Sequence, residues 1–251
     1  MKIIITGSLG HISKPLTQEL LEKSHSVTVV SSSPDRQKGI EALGATAKIG
    51  SLEDADFLTE TFTGADAVYT MVPPANYFDQ NLDLLAYYHK IGNNYAQAIE
   101  KSGVKRVVNL STIGGHLEKG NGILLGAHDV EEILNKLSSD VNITNMRPVY
   151  FYYNLLAFVD TIKEHGMIFA NYGKNKISMV SPKDIAAAIA EEIVKSESEN
   201  KVRYVVSDER TGDEIAEILG KAIGKPDLKW MIVSDEQVLD SLKSIGMQPK
   251  I

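Results

Sequence analysis

Short β-branched runs recur along the first 148 residues, and a segment of helical length separates each from the next. KIIIT (2–6), SVTVVSS (26–32), ATAKIG (45–50), DAVYTMV (66–72), RVVNLST (106–112) and NITNMRP (142–148) are the strands that this pattern predicts. Helices fall between them. They are SKPLTQELLEK (13–23), with Pro15 tolerated in its first turn, DRQKGIEALG (35–44), closing at Gly44, and LEDADFLTETF (52–62). A long stretch from about Asn81 to Lys101 and HDVEEILNKL (128–137) complete the set. Strands apolar along their whole length need cover on both faces, so the alternation predicts an α/β fold, a doubly wound parallel sheet with helices on both sides. After Pro148 the pattern changes. FYYNLLAFVDTIKEHG, KISMVSPKDIAAAIAEEIVK and VRYVVSD mix short strands with helices, as in a small lobe, and SESENK (196–201) reads as a polar surface loop.

The first strand runs into ITGSLGHISKPL (5–16). A glycine ending a strand and a second glycine just before a helix form the turn of a Rossmann-type dinucleotide cradle. Gly7 permits the sharp turn, Gly10 lets the main chain approach a pyrophosphate, and the helix N-terminus receives its charge. Ser13 stands where a third glycine usually packs helix on strand, a task that a small residue can share. Leu9, His11 and Ile12 lie on the same turn and join Gly7 and Gly10 as candidate pyrophosphate contacts. A plain strand-to-helix connection is the alternative. We therefore assign residues 1–150 to a dinucleotide-binding domain to which 177–207 return in part, and 151–176 with 208–251 to a small substrate lobe.

Composition narrows the function. The net charge of −7 offers no basic stripe for phosphates, which argues against a nucleic-acid partner. With no cysteine, disulfides and thiolate chemistry are excluded. His89, His116 and His165 lack ligand-like spacing, so no metal is expected. No apolar run approaches the roughly 20 residues of a membrane span, and Met1-Lys2-IIIT is too short for a signal-peptide core. A cytoplasmic protein, monomer or homodimer, is the expectation.

The spacing ITGxxGxxxxPL resembles the NmrA-like, atypical branch of the short-chain dehydrogenase/reductase superfamily. GSLEDADFLTETFTGADAVYTMVPP, GVKRVVNLSTIG, NMRPVYFYYN and VSPKDIAAAIA resemble that branch's later segments, so the likeness covers the whole chain. It is strongest to the NADPH-dependent quinone oxidoreductases of the branch. The resemblance implies that Met71, Val72 and Pro73 form the apolar loop flanking a nicotinamide. Members end with further helix, whereas this chain stops at KSIGMQPKI, which implies truncation or the lack of a last element.

NAD-specific enzymes usually carry an acidic residue at the end of the second strand. Here the place reads SSSPDR, with Asp35 expected to cap the next helix. The hydroxyls of Ser31, Ser32 and Ser33 with Arg36 would suit a 2′-phosphate, so NADP(H) is favoured and NAD(H) possible. Similar quinone reductases carry an arginine where Ser32 stands, and the alternative is a polar turn beside a solvated Arg36.

The superfamily's proton-donating Ser, Tyr and Lys map onto this chain only in part. Ser111 or Thr112 can fill the serine place, but the Tyr-x-x-x-Lys place reads His128-x-x-x-Glu132. That loss argues against ordinary ketone chemistry. Quinone reduction tolerates it, since the product anion is far less basic than an alkoxide, and His128 can still donate. The alternative makes His128 an end-of-helix hydrogen-bonding residue and Glu132 a structural one. Aromatic walls for a flat substrate are expected from Tyr150, Phe151 and the neighbouring Asn154, and from Tyr77 and Phe78 opposite. Two functions follow: an NAD(P)H-dependent oxidoreductase acting on a quinone or similar small aromatic electrophile, or a non-catalytic NAD(P)-binding sensor or regulator. The aromatic lobe favours the enzyme. Double-bond reduction of the isoflavonoid type shares the fold, but relatives of that type often use a lysine that is absent here.

Overall fold

The computed structural model describes residues 1–79, 81–195 and 201–247. In chain order it contains β1 (Lys2–Ile5), α1 (Ser13–Glu22), β2 (Ser26–Ser31), α2 (Gln37–Ala42), β3 (Thr46–Ile49), α3 (Ala55–Phe62), β4 (Ala67–Thr70) and α4 (Leu84–Ser102). Then come β5 (Arg106–Leu110), α5 (Leu125–Asn135), β6 (Asn142–Pro148), β7 (Tyr150–Phe151), α6 (Val159–His165), β8 (Met167–Ala170), β9 (Ile177–Val180) and α7 (Pro182–Ile193). The chain closes with β10 (Val202–Val205), β11 (Asp208–Arg210), α8 (Gly212–Ile223), β12 (Lys229–Ile232) and α9 (Asp235–Ser244).

Two compact units divide these elements. The first holds residues 1–75, 82–148 and 182–205. Among the described residues its sheet has seven parallel strands in the order β10-β6-β5-β4-β1-β2-β3. The order reverses direction between β1 and β4, the topological switch point of a Rossmann-type sheet. The expected fold class is therefore present. Residues 182–205 supply α7 and the seventh strand.

Cap chemistry sets the helix starts more sharply than periodicity does. The Asp54 carboxylate accepts from the N–H of Asp56 and Phe57, and Asp83 accepts from Ala86, so α3 and α4 begin just after them. The stretch expected to be one helix over 35–44 is broken. Pro34 starts a 3-10 turn, Pro34–Arg36, before α2, and no side chain caps either piece, so the capping role expected of Asp35 is absent. Helix α5 begins at Leu125, which puts His128 inside its first turn rather than at its cap.

The core of the first unit gathers Ile4, Phe62, Val68, Ile91, Tyr95, Ile99, Val107, Val130 and Leu134 between the sheet and helices α3, α4 and α5. On the other side, α7 is fixed by charge. Arg106 on β5 donates to the Glu192 carboxylate at 3.1 Å and to its carbonyl at 2.7 Å, and both side chains are almost fully buried. Burial pulls the Arg106 pKa down, and Glu192 opposes that pull. Lys195 and Arg203 reach the other carboxylate oxygen of Glu192.

The second unit holds residues 76–81, 149–181 and 206–251. Strands β11-β9-β7 form one small sheet and β12-β8 another. Residues 177–181 belong here because β9 pairs with β7 and β11. Trp230, Ile168, Met179, Ile215 and Leu228 make its core. Capping boxes start α8 at Thr211 and α9 at Ser234. Residues 196–200 of the predicted polar loop and the final residues 248–251 lie outside the described residues.

Removing Glu192 should strand the buried Arg106 charge. Glu192→Ala is expected to cost about 3–5 kcal/mol in urea unfolding. Glu191→Ala, which breaks the more exposed pair with Arg203, should cost less than about 1 kcal/mol. Equal losses would show that the buried pair is not what anchors α7.

Candidate functional site

The end of β1 is tied off by hydroxyls. Thr6 N and Oγ1 both donate to the Tyr69 carbonyl at 3.1 Å, and Thr6 Oγ1 accepts from Met71 N at 3.1 Å. Ser13 Oγ, buried at the start of α1, donates to the Thr6 carbonyl at 2.9 Å. Gly7 has φ of +88°, where an L side chain is strained, and a Cβ there would lie 2.6 Å from Ser13 Oγ and 3.0 Å from Met71 Sδ. The missing third glycine is thus answered by the first. The space that Gly7 leaves is filled by Ser13, whose hydroxyl closes helix onto strand.

Ser8 follows with φ of 56°, unusual for a non-glycine residue. Its N–H donates to the Val30 carbonyl at 3.0 Å and its hydroxyl to Ser31 Oγ at 2.9 Å, which fastens the turn to the end of β2. Gly10 N–H closes back on the Gly7 carbonyl at 3.1 Å. Leu9 packs over Gly39 of α2, Gly10 and His11 are exposed, and Ile12 is buried at the N-cap of α1. That helix starts with no side-chain cap and no acidic residue in its first turn. Its N–H groups and positive dipole end are therefore suited to an anion.

The hydroxyls expected to act together at the end of β2 divide. Ser31 is buried and engaged with Ser8 and with Ser33 N–H, whereas Ser32 and Arg36 are exposed and Ser33 is half-buried. After β4, the Met71 carbonyl accepts from Tyr95 OH at 2.7 Å and the Pro73 carbonyl from Tyr87 OH at 3.2 Å. Val72 packs against the core. Gly7 and the Met71 side chain therefore meet at the switch point between β1 and β4.

Ser111 and His128 are both brought against Gly115. Ser111 Oγ is buried and has no hydrogen-bond partner among the described residues, and it would lie 2.8 Å from a Cβ on Gly115. His128 Nδ1 is 2.9 Å from the Gly115 carbonyl. A carbonyl only accepts, so Nδ1 must carry the proton, and the neutral ring then has an unprotonated Nε2. Neutral His128 can accept at Nε2, and only its imidazolium form can donate there. Glu132 is exposed, while its neighbour Glu131 is buried against Arg147. A buried row also crosses the sheet, from Thr70 Oγ1 to Asn109 Oδ1 at 3.1 Å and from Asn109 Nδ2 to Asn145 Oδ1 at 2.9 Å. The sequence reading passed over these residues, although polar side chains inside otherwise apolar strands were the signal.

The remaining candidates belong to the second unit. Tyr150 packs against its core and meets Tyr172 edge-on at 5.7 Å, and burial pushes its phenol pKa up. Phe151 lies 5.2 Å from the exposed Tyr153, Phe78 is exposed, and Tyr77 and Asn154 are half-buried. Among the described residues no group of His, Cys, Asp or Glu could hold a metal ion, and no helix is long and apolar enough to cross a membrane.

Comparison with known proteins places this geometry. The sequence model of the NmrA-like family matches residues 1–250. An NAD(P)H azoreductase of Xenophilus azovorans is 23% identical over 246 residues, 98% of this chain and 82% of the relative. The structure of an Escherichia coli NADPH-dependent quinone oxidoreductase complexed with NADPH superimposes with a TM-score of 0.81 at 22% identity, covering 98% of this chain and 83% of that one. The Citrobacter triphenylmethane reductase complexed with NADP(H) gives 0.80 at 21% identity, over 98% and 84%. At such identities the solved structures establish the fold.

The interlock of Gly7 and Ser13 is open to a double-mutant cycle. Gly7→Ala should destabilise through its positive φ, by about 1–2 kcal/mol, and further through the clash with Ser13 Oγ. Adding Ser13→Gly should recover the clash alone, with a coupling on the order of 1 kcal/mol in urea unfolding. Strict additivity would show that the two residues do not share the space.

Proposed function

Because the chain belongs to the NmrA-like family, we propose that it is an NAD(P)H-dependent reductase that delivers hydride from NADPH to a quinone or similar flat electrophile. The observation that carries this reading is the Gly7–Gly10 turn, which opens onto the uncapped N-terminus of α1 at the switch point of the sheet. Such a turn fits a pyrophosphate, with the main-chain N–H groups of Leu9, His11 and Ile12 as donors and Gly10 leaving room for its approach. The relatives named for NAD(P)H azoreductase, quinone oxidoreductase and triphenylmethane reductase support both the cofactor and the flat class of substrate.

In this reading Ser32, Ser33 and Arg36 face the ribose 2′-phosphate, and Ser31 supports them from below. Met71, Val72 and Pro73 flank the nicotinamide. When bound, NADPH supplies the hydride. The chain itself has to manage one proton. Ser111, whose buried hydroxyl has no partner among the described residues, donates a hydrogen bond to the substrate oxygen as charge develops there. His128 delivers the proton from Nε2 in its imidazolium form, or water delivers it, because a hydroquinone anion is weakly basic.

Steady-state NADPH oxidation against a panel of quinones, azo dyes and triarylmethane dyes tests the reading. Turnover with a quinone is expected, and His128→Ala should lower it by roughly tenfold to a hundredfold with NADPH affinity unchanged. Binding without turnover of any panel member would leave a sensor in place of a reductase. Ser32→Asp sets a carboxylate against the 2′-phosphate and should weaken NADPH binding by on the order of 1–3 kcal/mol, with NADH binding equal or better. A parallel loss of both would place Ser32 away from the ribose.

A further inference from the structure

The loop after β5 rests on a buried ion pair that the reading above does not use. Glu131 on α5 is 2% exposed and Arg147 on β6 is 8% exposed. They meet in two parallel bonds, Arg147 Nε to Glu131 Oε1 at 2.9 Å and Nη2 to Oε2 at 2.5 Å. Arg147 Nη1 donates to the Tyr204 hydroxyl at 3.2 Å. Bonding to Glu131, more than any other cause, pushes the Arg147 pKa up, so the guanidinium stays charged despite its burial. As a source of stability such a pair is poor, because desolvating two charges offsets most of their attraction. What it does supply is direction, since a bidentate contact fixes the plane of the carboxylate.

That carboxylate lies against Gly115. A Cβ there would come 2.7 Å from Glu131 Oε1 and 2.8 Å from Ser111 Oγ, so lack of space excludes a side chain. The loop is tied to β6 on either side of Arg147, by Ser111 N–H to the Met146 carbonyl at 2.8 Å and Ile113 N–H to the Pro148 carbonyl at 2.9 Å. Gly115 in turn presents the carbonyl that accepts from His128 Nδ1. The arrangement runs without a break from the ion pair to Gly115 and from Gly115 to the imidazole.

We propose that Glu131 and Arg147 are positioning residues, whose ion pair holds Gly115 so that its carbonyl fixes the tautomer and orientation of His128. The proposal rests on the reading of His128 as a site residue. It assigns the pair the part that outer-shell partners play for metal-bound histidines, where a hydrogen bond to one ring nitrogen decides what the other can do. Loss of the pair would let the loop move and free the ring to exchange tautomers. The backbone of the fold, carried by the sheet, would remain.

Nitrogen-15 NMR of histidine-labelled protein reads the tautomer with no cofactor or substrate present, and His128→Ala identifies the resonance. The wild-type chain should show the Nδ1–H form. Glu131→Gln should give mixed tautomers and a kcat for quinone lowered by about tenfold to a hundredfold, with NADPH affinity unchanged. Because that variant strands the buried Arg147 charge, Glu131→Leu/Arg147→Met is the companion that removes the pair without leaving a lone ion, and it should show the same mixture. Gly115→Ala, which keeps the pair but pushes the loop off it, should do so too. A wild-type tautomer in the folded double variant would overturn the proposal, whatever happens to turnover. Mixed tautomers in variants of a chain that turns over no member of the quinone and dye panel would uphold the positioning and refute the reductase reading instead.

Discussion

The hydroxyl of Ser13 donating to the carbonyl of Thr6 is the contact on which the arrangement of the first unit turns. It closes the first turn of α1 onto the end of β1, in the space left by the missing side chain of Gly7. Thr6 passes the constraint on through its own hydroxyl, which bonds the end of β4 and so fixes where Met71 begins its loop. Ser8 carries it the other way, to β2. A single hydrogen bond of this kind contributes only about 1 kcal/mol. Its weight here comes from position, because three strand ends and a helix N-terminus are referred to one point.

The alternation of apolar runs made the parallel sheet legible before any coordinates, down to β6, whose limits coincide with the predicted run 142–148. Helix limits were read less well. Periodicity says which face is apolar, but caps decide where a helix starts, and Asp54 and Asp83 were not weighed as caps. Pro34 shows the same limit, since its restricted φ favoured a 3-10 turn that a count of apolar positions cannot register.

The candidate site was legible where the chemistry depends on backbone. Glycines at 7 and 10 after a strand announce a turn whatever the rest of the chain does. It was less legible where side chains from distant segments cooperate. Nothing local in EEILN marks Glu131 as buried and Glu132 as exposed, since only the partner on β6 distinguishes them. Likewise SSS reads as one hydroxyl cluster, yet strand pleating and the bond to Ser8 turn Ser31 inward and leave Ser32 outside. Arg106 and Arg147, charged residues inside predicted strands, were not singled out in the sequence, and both are paired with glutamates on covering helices.

The central claim is that the serine-bearing glycine turn is a working dinucleotide cradle. Equilibrium titration of the purified chain with NADPH and NADH, followed by nucleotide fluorescence, tests it most directly, with Gly10→Val as the control for position. The account predicts one saturable site per chain that prefers NADPH and disappears in Gly10→Val, while the variant keeps its wild-type far-UV spectrum. A wild-type chain with no saturable binding of either nucleotide, or a Gly10→Val chain that binds NADPH unchanged, would contradict it.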